Sequence, residues 1–272
     1  MGTIPLTAAS LLVLAITFGA AAPARAGRSC ETTRPAIATI ERGLILAQRT
    51  HEALEAAHIR DGAQVVLLAR AGQDLSKYGV RYSHLGLAYR TRTPQGQPAW
   101  RVLHKLNACG TATADVYGQG LGEFFLDDLW RYEAAWSMPS AHAQARLLSL
   151  LTDGDRALRL HHRPYSVVSY AWGSKYQQSN QWAIETLALA LDPAAGSRER
   201  AQGWLQQHGY QPAVLRLGPL TRLGGRMSAA NVAFDDHPDS QRFADRIETV
   251  TADSVFAWLQ RSGLGGKPVS LQ

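Results

Sequence analysis

Hydrophobic residues recur at helical spacing near the start of the chain and in short extended runs further along it. Residues 36–58 carry apolar side chains on one face, which predicts an amphipathic helix. Short apolar runs at 65–68, 82–89 and 100–106 predict three strands. Because the residues 93–96, Thr-Pro-Gln-Gly, are typical of a turn, the last two strands are expected to form a hairpin.

The second half of the chain mixes helical and extended patterns. The helix predicted at 179–191 is apolar nearly all round apart from Glu185, which is typical of a buried helix. The remaining predictions are a helix or two at 141–159, a strand at 164–172, a surface helix at 198–208, a strand pair at 214–220 and 247–250, and a helix at 254–261. Residues 110–136 show no clear pattern. Strands and helices do not alternate regularly, which favours an α+β fold.

The N-terminal segment has the pattern of an export signal. An apolar run at 11–22 ends in Ala24-Arg25-Ala26, the small-x-small pattern of a cleavage site. The run is shorter than the roughly 20 apolar residues that span a bilayer. We therefore expect residues 1–26 to be a signal peptide cleaved after Ala26, no transmembrane segment after cleavage, and a periplasmic or secreted protein. The mature chain, 27–272, is expected to be a single domain with an N-terminal helix and C-terminal strand and helix additions.

The amino-acid composition excludes several classes of protein. The chain has 272 residues, 46% of them hydrophobic and 18% charged, which excludes a disordered tail and a coiled coil. The formal charge of +6 favours anionic neighbours such as cell-wall polymers or acidic lipids, or contributes to solubility alone. The Lys and Arg residues are scattered, so no nucleic-acid partner is expected.

The sequence contains two cysteines, Cys30 and Cys109, and two interpretations of their state remain open. In an oxidising compartment they form a disulfide; otherwise they are two free thiols. Neither has the spacing of zinc ligands, so no metal and no other cofactor is expected.

Candidate chemistry begins at the predicted strand 82–89. Strand alternation places Tyr82, His84 and Gly86 on one face, and the glycine leaves room for a ligand beside the imidazole. If the turn centres on Pro94, His84 lies directly across from His104. His84 is then a candidate general base that His104 orients. The alternative is two histidines satisfied by hydrogen bonds within the core.

The start of the buried helix offers a candidate nucleophile. Ser179 follows Gln178 at this helix start, where the helix dipole and free N–H groups favour developing negative charge. The N–H groups near Ser179 and Asn180 would hold an oxyanion, with Gln178, Trp182 and Tyr82 beside the substrate. The alternative is that Ser179 only caps the helix, because serine is among the best N-cap residues.

These segments together resemble a known superfamily. The runs DGAQVVLL at 61–68, SKYG at 76–79 and YSHLG at 82–86, with QSNQW at 178–182, are similar to circularly permuted papain-like domains. Their relatives include NlpC/P60 and lecithin:retinol acyltransferase enzymes. The whole chain also resembles an uncharacterised family of secreted bacterial proteins, a domain of unknown function thought to belong to that superfamily. The resemblance implies a central antiparallel sheet packed on a buried helix. It also implies that His84, His104 and Ser179 form the catalytic set.

The sequence departs from the superfamily pattern at the nucleophile, and this departure leads to different functional hypotheses. The superfamily nucleophile is cysteine, and Ser179 occupies that position here. A serine hydroxyl is much harder to deprotonate than a thiol, although Ser–His pairs do catalyse acyl transfer when aligned. The first hypothesis is an amide hydrolase or acyltransferase that uses His84, His104 and Ser179. The second is a catalytically inactive envelope module that binds a cell-wall peptide, a glycan or a lipid. A structural partner in an envelope assembly is a third.

Overall fold

The computed structural model describes residues 35–127 and 129–272 of the chain. Its strands are β1 (Val65–Ala71), β2 (His84–Arg92), β3 (Pro98–Asn107), β4 (Ala114–Gly120), β5 (Arg131–Ser137), β6 (Ala213–Arg216), β7 (Arg246–Thr249) and β8 (Val269–Leu271). Its helices are α1 (Ile37–Asp61), α2 (Leu121–Phe125), α3 (Ala141–Leu151), α4 (Gly154–Leu158), α5 (Ser179–Leu191), α6 (Arg198–Gln207), α7 (Pro219–Ser228), α8 (Asp239–Arg242) and α9 (Ala252–Arg261).

Six strands form one antiparallel sheet in the order β4-β3-β2-β1-β5-β8. Strand β1 lies near the middle and is buried along its whole length, as its sequence VVLLARA predicts for a strand covered on both faces. The mixed α+β class predicted from the sequence is confirmed.

The two faces of the sheet pack against different helices. Alternate residues of β1 and β2, including Leu67 and Leu87, join a core with α3, α5, α6 and α9. The other residues of the same strands, including Leu68 and Ala88, join a core with α1 and α2. Helix α5 is buried on nearly every side, as expected from its apolar sequence.

A smaller unit lies beside the main sheet. Strands β6 and β7 pair antiparallel, and a third apolar cluster forms around Leu217, Val232, Phe234 and Ile247. Part of the covering layer comes from Val167 and Val168 in the preceding connection, so this unit packs onto the loop that leads into α5.

Most predicted elements are confirmed, with two corrections. Residues 164–172 are not a strand. They form turns, in which the Ser166 hydroxyl bonds the backbone of Ala233 and the Ser169 hydroxyl bonds Gln181. The strand predicted at 214–220 ends at Arg216, because Pro219 starts α7 at a position where a missing N–H has no cost.

The hairpin register is also corrected. Strand β2 pairs with β3 so that Leu87 faces Leu103, two residues away from the predicted register. The turn runs from Thr93 to Gln97, and Gly96 adopts a left-handed φ of 80°, which moves the centre of the turn one residue past Pro94. His104 therefore faces Gly86 rather than His84.

The predicted export signal and Cys30 lie outside the described residues. Cys109 is within them and is not a free thiol. Over the described part of the chain, none of the helices combines the length and apolar character needed to cross a bilayer.

Candidate functional site

The two candidate histidines meet in the folded protein. The Nε2 atom of His84 lies 2.7 Å from Nδ1 of His104, and the Nε2 atom of His104 lies 2.7 Å from Oε1 of Gln119. His104 is fully buried, and His84 is 9% exposed. Three strands thus hold a hydrogen-bonded chain from Gln119 on β4 through His104 on β3 to His84 on β2.

Gly86 makes this pairing sterically feasible. A Cβ atom at this position would lie 2.5 Å from Cγ1 of Val102 and 3.2 Å from Cβ of His104. Because His104 lies across from Gly86, its ring is diagonal to His84, within reach of a long side chain on the same face. Gly86 was expected to leave space for a ligand beside the His84 ring, and the His104 ring fills that space.

The hydrogen bond to Gln119 fixes which ring nitrogen of each histidine carries the proton. Because Gln119 presents an oxygen, Nε2 of His104 carries the proton and its Nδ1 accepts. Nε2 of His84 then donates, and Nδ1 of His84 keeps a lone pair that has no partner among the described residues. Burial and the nearby Arg70 lower the pKa of His104 to about 4 and hold the pKa of His84 well below its usual range. Both rings are therefore neutral at pH 7.

Aromatic and cationic groups enclose the histidines. The Phe124 ring centroid lies 5.9 Å from that of His84 and 5.1 Å from that of His104. Arg70 is the cross-strand neighbour of His84 and donates to Asp127 and to the Phe124 carbonyl. Sequence reasoning missed Arg70, although a charged residue inside the apolar run of β1 is a signal for a buried polar site.

At the start of α5, the N-cap is Gln178 rather than Ser179. The Gln178 Oε1 atom accepts from the Asn180 N–H at 3.0 Å, and its amide donates to Thr249 and Val250. One of the N–H groups expected to hold an oxyanion is therefore already used for capping. Ser179 lies beside the hydroxyl of buried Tyr165, whose pKa burial raises.

The sheet separates Ser179 from the histidine pair. Helix α5 packs with Leu85 and Leu87 on one face, while His84 and His104 contact Phe124 on the other. The described residues include no hydrogen bond between Ser179 and either histidine. The catalytic triad expected from the sequence is thus brought together only in part, and its activity stays a prediction.

Ser179 and His84 nevertheless line the same cavity, which has a volume of about 770 Å³. Its polar wall includes Gln178, Asn180 and Tyr82. Because His84 is the first residue of β2, the cavity passes around the end of that strand. A volume of this size is in the range of small-molecule sites.

Another part of the cavity lining is apolar. It is formed largely by the small unit and the loop beside it, through Leu215, Leu217, Val232, Phe234, Val167 and Val168. Sequence reasoning did not predict this wall, because nothing local in residues 213–234 indicates that they pack next to β2.

Tyr82 and Trp182 were both expected beside the substrate, but only Tyr82 lines the cavity. Tyr82 lines the cavity, and its hydroxyl donates to Oε1 of Glu133 at 2.7 Å. Burial raises the pKa of Tyr82 to about 12, so this hydroxyl stays protonated. Trp182, expected beside the substrate, is fully buried in the α5 core and does not line the cavity.

No group of three or more His, Cys, Asp or Glu side chains in residues 35–127 and 129–272 has an arrangement that could hold a metal ion. The polar lining of the cavity includes an imidazole, an amide, a phenol and a hydroxyl, together with the charged side chains of Arg70, Asp74, Lys77 and Asp127. The arrangement suits recognition of a polar head group beside an apolar body.

Comparison with known proteins identifies a family. The family described as an uncharacterized protein conserved in bacteria, DUF2145, matches residues 57–259. This range includes every residue of the candidate site. No curated protein matches the chain, and no solved structure matches it.

Proposed function

The chain belongs to this uncharacterised bacterial family, DUF2145, and from that premise we propose that it is an envelope protein that binds one small amphipathic molecule. The ligand is an acyl chain with a head group that donates hydrogen bonds. The observation that carries the proposal is the cavity of about 770 Å³, which is lined both by polar groups and by a cluster of apolar side chains.

The apolar wall selects the body of the ligand. Leu217, Val232 and Phe234 are each at most 9% exposed, and all three line the cavity. Burying an acyl chain against such a wall is favourable by about 25 cal/mol per Å² of apolar surface. A peptide or a glycan has less apolar surface to place there.

Two acceptors without partners select the head group. The Oδ1 atom of Asn180 is buried and has no hydrogen bond among the described residues, and Nδ1 of His84 keeps its lone pair. For the buried Asn180 oxygen, the missing partner costs about 1–3 kcal/mol, which a ligand donor would recover. Hydroxyl and amide N–H groups are such donors.

The proposal is tested by displacement of a fluorescent acyl probe, dansyl-undecanoic acid, from the purified mature protein. We expect 1-monolauroylglycerol, which has two hydroxyl donors, to displace the probe much more strongly than methyl laurate, which has none. Asn180→Ala is expected to reduce this preference. Equal displacement by both lipids would contradict the role of the head group, and absence of probe binding would contradict the lipid site.

A muropeptide without an acyl chain serves as the matched competitor for the cell-wall alternative. Displacement by the muropeptide and not by the lipids would favour a peptide or glycan ligand. Mass spectrometry of the recovered lipid shows whether it is turned over. Intact lipid is expected, because no hydrogen bond joins Ser179 to either histidine in the described part of the chain.

Acyl transfer is the second candidate function, and the His84–His104 hydrogen bond favours it. In that reaction His84 would act as the base, His104 would orient it and Ser179 would attack an amide or ester carbonyl. Hydrolysis lost in both Ser179→Ala and His84→Ala, with lipid binding retained, would support this function. Equal product formation in wild type and both variants would remove it.

The proposal places the protein outside the cytoplasmic membrane, on the strength of the signal pattern in residues 1–26. Fractionation of cells expressing the full chain tests this location. Recovery of a mature N-terminus at Gly27 from the periplasm or medium is expected, and full-length protein in the cytoplasm would contradict it.

A further inference from the structure

Helix α7 presents an apolar stripe to solvent. Leu220, Leu223 and Met227 are 84%, 56% and 81% exposed. Their spacing of three and four residues places them on one side of the helix. Arg222 on α7 donates to Oδ1 of Asp245 at 2.8 Å, so the segment that contains Asp245 lies beside α7; Phe243 in that segment is 73% exposed.

Cationic residues flank this stripe. Residues 213–234 contain three arginines and no acidic residue. Arg226 lies on α7 itself, and Arg216 precedes it by three residues. The described residues give neither of these exposed guanidinium groups an ion pair, whereas Arg222 is paired with Asp245.

Two arginines also face each other across the small sheet. Arg216 is the direct cross-strand partner of Arg246, and both are exposed. Like charges directly opposite on a sheet destabilise it, so this pair favours a bound anion. The nearby acids Asp239 and Asp245 are already paired with Arg242 and Arg222. Glu248 lies two residues from Arg246 on the same face of β7, and among the described residues it forms no ion pair with either arginine.

The other side of α7 lines the cavity. Thr221 and Gly225 contribute to the cavity wall, and a Cβ at Gly225 would contact Val232 at 3.3 Å. One helix therefore separates the apolar cavity from an exposed apolar stripe. An amphipathic segment with apolar residues on one side and arginines nearby is typical of a helix that lies in a lipid interface.

We propose that α7 docks on the surface of an anionic lipid bilayer, with Leu220, Leu223 and Met227 in the acyl boundary and Arg216, Arg226 and Arg246 against the phosphates. The docking does not depend on which molecule the cavity binds. It places the cavity directly behind the membrane-facing helix.

Co-sedimentation with vesicles tests the proposal on the mature protein. Vesicles of equal parts phosphatidylcholine and phosphatidylglycerol are expected to bind it, and pure phosphatidylcholine vesicles much less. The triple variant Leu220→Ser, Leu223→Ser, Met227→Ser is expected to lose at least about tenfold in binding. Ile59→Ser, on α1 and equally exposed at 84%, is the matched control and is expected to bind as wild type does.

The double variant Arg216→Gln, Arg246→Gln separates charge from apolar contact. It is expected to weaken binding at low salt and to leave binding at high salt closer to that of wild type. The thermal unfolding midpoint of each variant shows that the fold is retained, since the substituted residues are exposed.

Three results would overturn the proposal. One is equal binding of wild type to both vesicle types. Another is an equal loss of binding in Ile59→Ser and the triple variant. The third is a concentration-dependent dimer, seen by sedimentation velocity, that the triple variant abolishes while vesicles bind neither protein; this result would assign the stripe to a second copy of the chain.

Discussion

His84 and His104 are joined by a hydrogen bond of 2.7 Å although the residue across the sheet from His104 is Gly86. The diagonal contact leaves the His104 ring in an edge-to-face contact with Phe124 and its second nitrogen hydrogen-bonded to Gln119. A direct cross-strand pair would have placed the two rings side by side. The observed geometry instead points the chain of hydrogen bonds from β4 towards the cavity end of β2.

Gly86→Ala tests the space that this contact needs. The new methyl group would clash with Val102 and crowd His104, so we expect a loss of about 1–3 kcal/mol in the free energy of unfolding. Urea denaturation at pH 7 measures it. The control is Gly118→Ala on β4, two strands away in the same sheet, where the nearest atom to the new Cβ is 3.8 Å away. Equal effects of the two substitutions would contradict the crowding.

The lowered pKa of His104 predicts a loss of stability in acid. The unfolded chain takes up a proton near pH 6.5, while folded His104 does so only near pH 4. Stability is therefore present above pH 6.5 and falls as the pH drops from 6.5 to about 4, by up to about 3 kcal/mol from this residue. His84 acts in the same direction.

Urea unfolding at pH 7 and at pH 4.5 checks this window. His104→Gln keeps a polar side chain but cannot titrate, so its stability is expected to change less between the two pH values. A variant that loses as much stability as wild type would show that other groups control the acid response.

The buried ion pair of Arg198 and Glu185 predicts an asymmetric mutational response. Arg198 donates to the Glu185 carboxylate at 3.0 Å, and Glu185 is fully buried. Arg198→Met leaves that charge uncompensated and is expected to cost about 3–5 kcal/mol of unfolding free energy. The double variant Arg198→Met, Glu185→Leu is expected to cost less, because Gln177 and Gln202 each keep a backbone acceptor.

Lys175→Met provides the exposed comparison for that pair. Lys175 and Asp235 are 55% and 43% exposed, so breaking their ion pair is expected to change stability by no more than about 1 kcal/mol. Thermal denaturation of the four proteins in one buffer ranks them. If the double variant were as unstable as Arg198→Met alone, the unpaired Glu185 charge would not be the cause of the lost stability.

Filling the cavity tests the site without touching its polar wall. Thr221→Trp and Val232→Trp each place a large ring where the cavity now lies, and both are expected to reduce binding of the acyl probe by at least about tenfold. Val214→Trp, on the exposed outer face of β6, is the control and should bind normally. Normal binding in both cavity variants would place the ligand elsewhere.

Local pattern was sufficient for the α+β class and for most elements of the chain. The apolar circumference of α5 predicted its burial, and the period-two alternation of β2 correctly placed His84 and Gly86 on one face. These properties depend on residues close in sequence, which is why they can be read without a structure. The pairing of Glu185 with Arg198 across two helices could not be read in this way.

The tertiary structure decided the register of the β2–β3 hairpin and the face of the sheet on which each candidate residue lies. A left-handed Gly96 shifted the hairpin by two residues, so His104 faces Gly86, and the sheet came to lie between Ser179 and the histidines. Long-range packing also placed Leu217 and Val232 beside the polar wall and made a cavity of it. Such relationships depend on contacts between segments distant in sequence, for which hydrophobic periodicity carries no information.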